Sequence, residues 1–348
     1  VYPYCVDNKQ SDLMQEVFVG LLVKGQWQDR WYDTENTGGV FIREDSQFRD
    51  WITPGGEPGP EGQAALPAAS GRFHLYVSLA CPWAHRTLIF RKLKGLESHL
   101  SVSFVHPHML ENGWEFRPDA AVHRDDVNQA RYLHQIYTAT DADYSGRVTV
   151  PVLWDRETRR IVNNESSDII RILNTAFSGL GARDYDFYPQ DLRGDIDAWN
   201  AEIYPKVNNG VYRAGFATTQ DAYEEAYKAL FEMLDRLESH LGRQRYLVGN
   251  RLTEADWRLF TTLIRFDAVY FSHFKCNRQR LTDFPHLSGY LRDLFQVPGV
   301  AETVDVGEIK SHYYYSQRTV NPTGIVPVGP LLDFTQPHGR AALGPDSF

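Results

Sequence analysis

Cys81 is the residue whose neighbours best equip it for chemistry. It stands in Cys81-Pro82-Trp83-Ala84, separated by three residues from the alternating run Phe73 to Val77 and directly before a helical run that stops at Gly95. Proline in the first turn of a helix loses nothing, because that amide has no partner inside the helix. A helix start also offers free N–H groups and partial positive charge. Both favour thiolate, the form that attacks sulfur or carbon, over thiol. The plain alternative is a packed, inert cysteine, and the strand–helix junction with its Cys-Pro pair argues against that. Three residues on stands Ala84, not a second cysteine.

A mixed disulfide formed on Cys81 must therefore be released by an outside thiol, and glutathione is the abundant one in cytosol. Two further constellations suit such a ligand. Thr149-Val150-Pro151 opens a predicted strand, where proline cannot donate to the ladder and needs a reason to be present. In thioredoxin-like folds this proline is cis. Val150 N–H and C=O would then pair with the cysteinyl backbone of glutathione like an added strand. Glu165-Ser166 opens a helix whose amides can hold an α-carboxylate, with Glu165 receiving the ammonium. The plainer reading of that pair is a helix cap.

The elements that must position these residues follow from periodicity. Phe73–Val77, a helix to Lys94 and a strand at Val102 and Phe104 make a βαβ unit with parallel strands. A long stretch, 106–147, holds Trp114 and a helix expected from about Asp125 to Tyr137. Val148–Trp154 and Arg160–Val162 are the third and fourth strands, and a helix follows through Leu173. The order βαβ then ββα predicts a thioredoxin-like α/β domain over 71–180. Segments near 191–206, 219–241, 254–271 and 284–296 read as helices, so 190–320 is an all-α domain. Thr253-Glu254-Ala255-Asp256 is a capping box, structural rather than catalytic. Residues 1–70 read as an irregular extension wrapped over the surface, and 321–348, rich in proline, as an extended tail.

Composition bounds the partners. The chain has 348 residues, 42% of them hydrophobic, enough for two folded domains. A formal charge of -9 argues against nucleic-acid or anionic-membrane surfaces. No apolar run reaches the roughly 18 residues of a membrane span, and Val1 to Gln10 lacks a signal-peptide pattern. Three cysteines, Cys5, Cys81 and Cys276, cannot make a disulfide framework and suit a reducing compartment, so cytoplasm is expected. Cys276 reads as a packed thiol. His106-Pro107-His108 lacks companion ligands at metal spacing, and no metal is expected.

Taken together, these motifs resemble the glutathionyl-hydroquinone reductases, the omega-like xi class of glutathione transferases. The likeness runs through Leu75 to Thr87, Glu111-Asn112-Gly113-Trp114, Tyr144 to Asp155 and Asn164-Glu165-Ser166. It continues at Asn208 to Tyr212, Arg265-Phe266-Asp267, His273 to Cys276 and Asn321-Pro322-Thr323-Gly324. It spans about Gly25 to Gly339, and only the first twenty or so residues look foreign to it. The resemblance implies the glutathione transferase fold, a homodimer, and reduction of aromatic glutathionyl-hydroquinones through a Cys81–glutathione mixed disulfide, with oxidised glutathione released. It implies Trp114, Val150, Glu165 and Ser166 as glutathione contacts and Arg131 as a carboxylate contact. Tyr212, Tyr270 and Tyr313 would line the hydroquinone pocket, Tyr212 and Tyr313 as acids or hydrogen-bond donors. An omega-like thioltransferase or dehydroascorbate reductase, and a non-catalytic glutathione-binding module, remain the alternatives.

Overall fold

The computed structural model describes residues 20–117, 121–345 and 347–348; Cys5 lies outside them. The chain opens with a hairpin, β1 (Leu21–Val23) and β2 (Gln26–Gln28), and then a two-stranded parallel pair, β3 (Trp51–Thr53) and β4 (Ala65–Pro67). This is more order than the sequence suggests, and it is not a surface wrap. Leu22, Phe41, Trp51 and Ile52 are buried in the common core. Strands of three residues are too short to show alternation, and their partners lie far away in the chain.

The central sheet is built from β5 (Phe73–Val77), β6 (Ser101–Phe104), β8 (Val152–Asp155) and β9 (Arg160–Asn163), in the order β6-β5-β8-β9. β5 and β6 run parallel, while β8 is antiparallel to both β5 and β9. Every residue of β5 and β8 is buried, as expected of strands covered on both faces. Helices α1 (Pro82–Leu93) and α3 (Ser166–Thr175) pack side by side on this sheet. Gly95, at φ +68°, closes the turn after α1, a conformation glycine adopts without steric cost.

Two expectations shift. The helix foreseen from Asp125 begins only at His134, as α2 (His134–Thr140). The Asp125 carboxylate takes the amides of Val127, Asn128 and Ala130 at 2.9, 3.1 and 3.0 Å, an arrangement that competes with helix hydrogen bonds. The third strand is also shorter than foreseen. Gly146–Arg147 forms β7, which pairs with β1, and 148–151 lie between it and β8.

No strand follows β9 among the described residues. The second half holds α4 (Arg193–Ile203), α5 (Gly210–Gly215), α6 (Gln220–Leu241), α7 (Glu254–Arg265), α8 (Pro285–Phe295) and α9 (Val306–Ser311). α5 and α9 were not foreseen, because six residues are too few for a helical period to show. Asp256 reaches back to the Thr253 amide at 2.8 Å and also accepts from Leu247 N and Tyr290 Oη, which secures the start of α7. α4, α7 and α9 each run on into a π-helical turn, over Tyr204–Asn208, Phe266–Tyr270 and His312–Ser316. α1 packs on α7. There, buried Arg265 donates to the carbonyls of Ala80 (2.8 Å) and Leu79 (2.9 Å), fixing the loop that precedes Cys81.

Candidate active site

Cys81 is the extended residue that caps α1, with Pro82 in the first helical position. Its Sγ donates to the Val150 carbonyl at 3.6 Å. Burial pushes the thiol above its ordinary pKa, against the pull of the Ala84 amide, Arg265, the Trp83 amide and Arg43. The helix start thus acts as the sequence suggests, but in the free protein desolvation outweighs it. The resting group is a thiol.

Beside Cys81, the Val150–Pro151 bond is cis. These residues line a polar cleft of about 680 Å³ together with Thr149, Asn164, Glu165 and Ser166. Glu165 caps α3, accepting from the Ser167 amide (3.0 Å) and hydroxyl (2.9 Å). Burial alone would raise its carboxyl. The hydrogen bonds from Ser167, the charge of Arg86 and the Ser46 hydroxyl together hold it below the usual range, so it is a carboxylate. Arg86, fully buried, donates to Ser166 Oγ at 3.3 Å and to Asn208 Oδ1 at 3.0 Å, joining the two halves of the molecule beneath the cleft. The cap reading and the ligand reading of Glu165-Ser166 are therefore compatible in one geometry.

A second, more apolar cleft of about 670 Å³ adjoins the first; Tyr32, Arg43, Trp83, Thr149 and Val150 line both. Cys81, Trp114, Tyr212, His312 and Tyr313 face this second cleft. Trp114 is stacked on His312 with ring centroids 4.9 Å apart. Tyr212 Oη and Tyr313 Oη are 2.5 Å apart, and Tyr270 Oη lies 3.1 Å from Tyr313 Oη. Burial pushes all three phenols above their ordinary value, so each keeps its proton at neutral pH. Tyr270 lines neither cleft; it is fully buried behind Tyr313. Arg131 is not brought to either cleft. Its side chain is 67% exposed and sits 3.8 Å from Glu115.

Two domain families match the chain: "Glutathione S-transferase, N-terminal domain" over residues 80–176 and "Glutathione S-transferase, C-terminal domain" over 220–293. Glutathionyl-hydroquinone reductase YqjG of Escherichia coli (strain K12) is 57% identical over 325 residues, 92% of this chain and 98% of that protein. Glutathionyl-hydroquinone reductase PcpF of Sphingobium chlorophenolicum is 55% identical over 314 residues, 90% of this chain and 96% of that protein. The chain belongs to the glutathionyl-hydroquinone reductases, the xi class of glutathione transferases.

Solved structures agree on the xi-class fold. The glutathione-bound YqjG structure from Escherichia coli K-12 superposes with a TM-score of 0.85 at 53% identity, covering 92% of this chain and 99% of that one. The xi-class transferase of Natrialba magadii gives 0.86 at 44% identity, with 95% and 99% covered. Against this background the residues that sequence reasoning missed are mostly arginines. Arg86 and Arg265 lie inside the quoted motifs but carried no assigned role. Tyr32 and Arg43 lie in the segment ahead of the transferase domains, where no periodicity or motif marks them. Outside the clefts, the Cys276 thiol is buried and donates to the Phe274 carbonyl at 3.8 Å, the packed state expected of it.

Proposed function

We propose that this xi-class transferase reduces glutathionyl-hydroquinones to hydroquinones through a mixed disulfide on Cys81. One observation carries the reading. The Cys81 thiol opens on an apolar cleft bounded by the Tyr212 and Tyr313 hydroxyls, and a polar cleft with a carboxylate and a helix start adjoins it. Kinship with the glutathionyl-hydroquinone reductases YqjG and PcpF supports the same chemistry.

Glutathione lies in the polar cleft, its cysteinyl backbone on Val150 and its γ-glutamyl end on Glu165, Ser166 and the first amides of α3. Trp114 covers it, and the aromatic ring enters the apolar cleft. Arg131, outside both clefts in the free protein, is assigned no contact. A ligand N–H on the Val150 carbonyl takes the acceptor that now holds the Cys81 proton, which favours release of the thiolate. That thiolate attacks the glutathione sulfur. The new S–S bond forms as the S–C bond breaks, and the electron pair leaves with the ring carbon. In the keto form of the ring that charge spreads to oxygen, where a neutral Tyr212 or Tyr313 hydroxyl can donate. A second glutathione thiolate then attacks the mixed disulfide, giving oxidised glutathione and restoring Cys81.

Among the described residues, Cys81 and Cys276 are free thiols, which suits a reducing compartment in which glutathione is abundant. Kinship with the xi class supports a homodimer, and a single-chain mass by sedimentation would overturn that part. The test of the main reading is turnover of a glutathionyl-hydroquinone by wild type and by Cys81→Ser. Wild type should release hydroquinone and carry one glutathione on Cys81 by intact mass. The serine variant should lose turnover by at least about 10³-fold. Turnover of small mixed disulfides with none on the thioether would favour the omega-like alternative. Glutathione binding without either activity would leave only a binding module.

A further inference from the structure

Neither matched transferase domain reaches the segment that carries Arg43, since the two matches cover 80–176 and 220–293. Yet Arg43 lines both clefts at the place where they adjoin. Its guanidinium lies 5.0 Å from the Trp83 ring, 5.1 Å from Tyr212 and 5.5 Å from Phe41. Its Nε donates to Asn209 Oδ1 at 3.1 Å, a neutral partner on the far domain. Among the described residues no carboxylate forms an ion pair with it. A half-buried cation packed on three rings without a counter-charge is costly unless an anion arrives there. The other ionisable groups lining the same cleft are Cys81, Tyr32, Tyr212, His312 and Tyr313.

We propose that Arg43 is a second cation, beside Arg265, that stabilises the Cys81 thiolate, supplied to the transferase domains by the segment that precedes them. Of the groups lining the apolar cleft, it is the one that carries positive charge. Tyr212 and Tyr313 stay neutral, and burial drops His312 to about 4, so it too is uncharged near pH 7. Arg265, whose pull on Cys81 is the larger, is also a cation but does not line the cleft; it is held behind the thiol by the carbonyls of Leu79, Ala80 and Thr261 and by His85 Nδ1. The carboxylates of Glu44, Asp45 and Glu165 line the neighbouring polar cleft. Arg147 pairs with Glu44 at 3.4 Å and Arg86 acts on Glu165, so part of that negative charge is offset within the polar cleft. Arg43 is oriented by Asn209 and by its three rings, so its charge is fixed in place before any ligand enters.

The inference rests on Cys81 being the nucleophile, but its test does not need the hydroquinone substrate. Alkylation of Cys81 by iodoacetamide, followed by peptide mass spectrometry at that residue, gives a rate against pH. Arg43→Gln and Arg43→Met should each slow alkylation near neutral pH by about tenfold and raise the midpoint by about one unit. Arg43→Lys, which keeps the charge but not the planar fork, should fall between them and wild type. The loss in kcat/KM of the neutral variants should shrink as pH rises. A neutral variant that melts like wild type and alkylates at the wild-type midpoint overturns the proposal and leaves Arg43 a packing residue. If Gln unfolds the protein, Met, which keeps an apolar stem on the three rings, decides. If Cys81→Ser keeps turnover, the functional reading fails, while the midpoint shift still reports on Arg43.

Discussion

A phenol serves as an acid only while it holds its proton, and the tyrosine group is built to keep it. Tyr212, Tyr270 and Tyr313 are buried, and burial raises all three above the ordinary value. Tyr212 and Tyr313 face the cleft, whereas Tyr270 reaches it only through the Tyr313 hydroxyl. Their substitutions should therefore differ. Tyr313→Phe should lower kcat on a glutathionyl-hydroquinone by about 10²-fold, the scale of one lost acid. Turnover of a small mixed disulfide, which needs no ring proton, should stay within about twofold, since its leaving group is a thiol. Tyr270→Phe should cost less on the thioether, because it loosens the donor without removing it. Equal losses on both substrates would make Tyr313 a packing residue. At this scale Cys81 and Val150 were read from local motifs, and Trp114, Tyr212 and Tyr313 only from the family resemblance; the structure sets all five along the clefts. Arg43 was not legible. The meaning of an arginine depends on what packs around it, and Trp83, Asn209 and Tyr212 come from distant parts of the chain.

The elements that were legible are those whose signals are local. α1 is set by Pro82 and Gly95, and α7 by the Asp256 box. α6 is long and amphipathic, capped by Thr219. The π turns that end α4, α7 and α9 carried no such signal, although they present Tyr204, Tyr270 and Tyr313. Such turns are frequent at functional sites. The last of them is clamped to the loop that carries Trp114. His312 donates to the Pro107 carbonyl at 2.8 Å, His108 bonds the Ser311 hydroxyl at 2.8 Å, and the Met109 amide donates to Ser316 Oγ at 3.0 Å. Burial lowers His312 and His106 to about 4, and lowers His108 as well. Unfolded, these histidines titrate near 6.5. The unfolded chain therefore takes up more protons between those values, and stability must fall as pH drops from about 6.5 toward 4. Urea unfolding at a series of pH values should show that slope beginning above the range of the carboxylates. His106→Asn should remove part of it. A level stability from pH 7 to about 4.5 is incompatible with a neutral, buried His312 and neutral, half-buried His106 and His108 at this seam.

Across the whole molecule, the segment from residue 20 to residue 70 behaves as part of the transferase body. Ile52 is fully buried, and β3, which carries it, packs on α3. Around it, the Phe48 amide donates to Asn164 Oδ1 at 3.1 Å, and Asn163 Nδ2 donates to the Asp50 carbonyl at 3.0 Å. The Ser46 hydroxyl donates to Glu165 Oε2 at 3.2 Å, and Arg49 pairs with Asp168 of α3. These contacts hold the segment against the helix start that forms the end wall of the polar cleft. The same segment brings Tyr32 and Arg43 to the place where the two clefts adjoin. Sequence reasoning took the region for a surface wrap because Gly, Pro and polar residues hide four core side chains among short strands. Were the segment only a surface wrap, Ile52→Ala would cost no more than a surface change, within about 0.5 kcal/mol. As a core residue, Ile52 should cost about 2–5 kcal/mol when truncated to alanine. The loss should also reach the site, because the strap that seats Ser46 on Glu165 loosens with it. Chemical denaturation of Ile52→Ala, with glutathione affinity measured under conditions where the variant is folded, separates the two views. A stable variant with weakened glutathione binding would place the strap's role in the cleft alone. Loss of both would make it a structural wall of the domain as well as of the site.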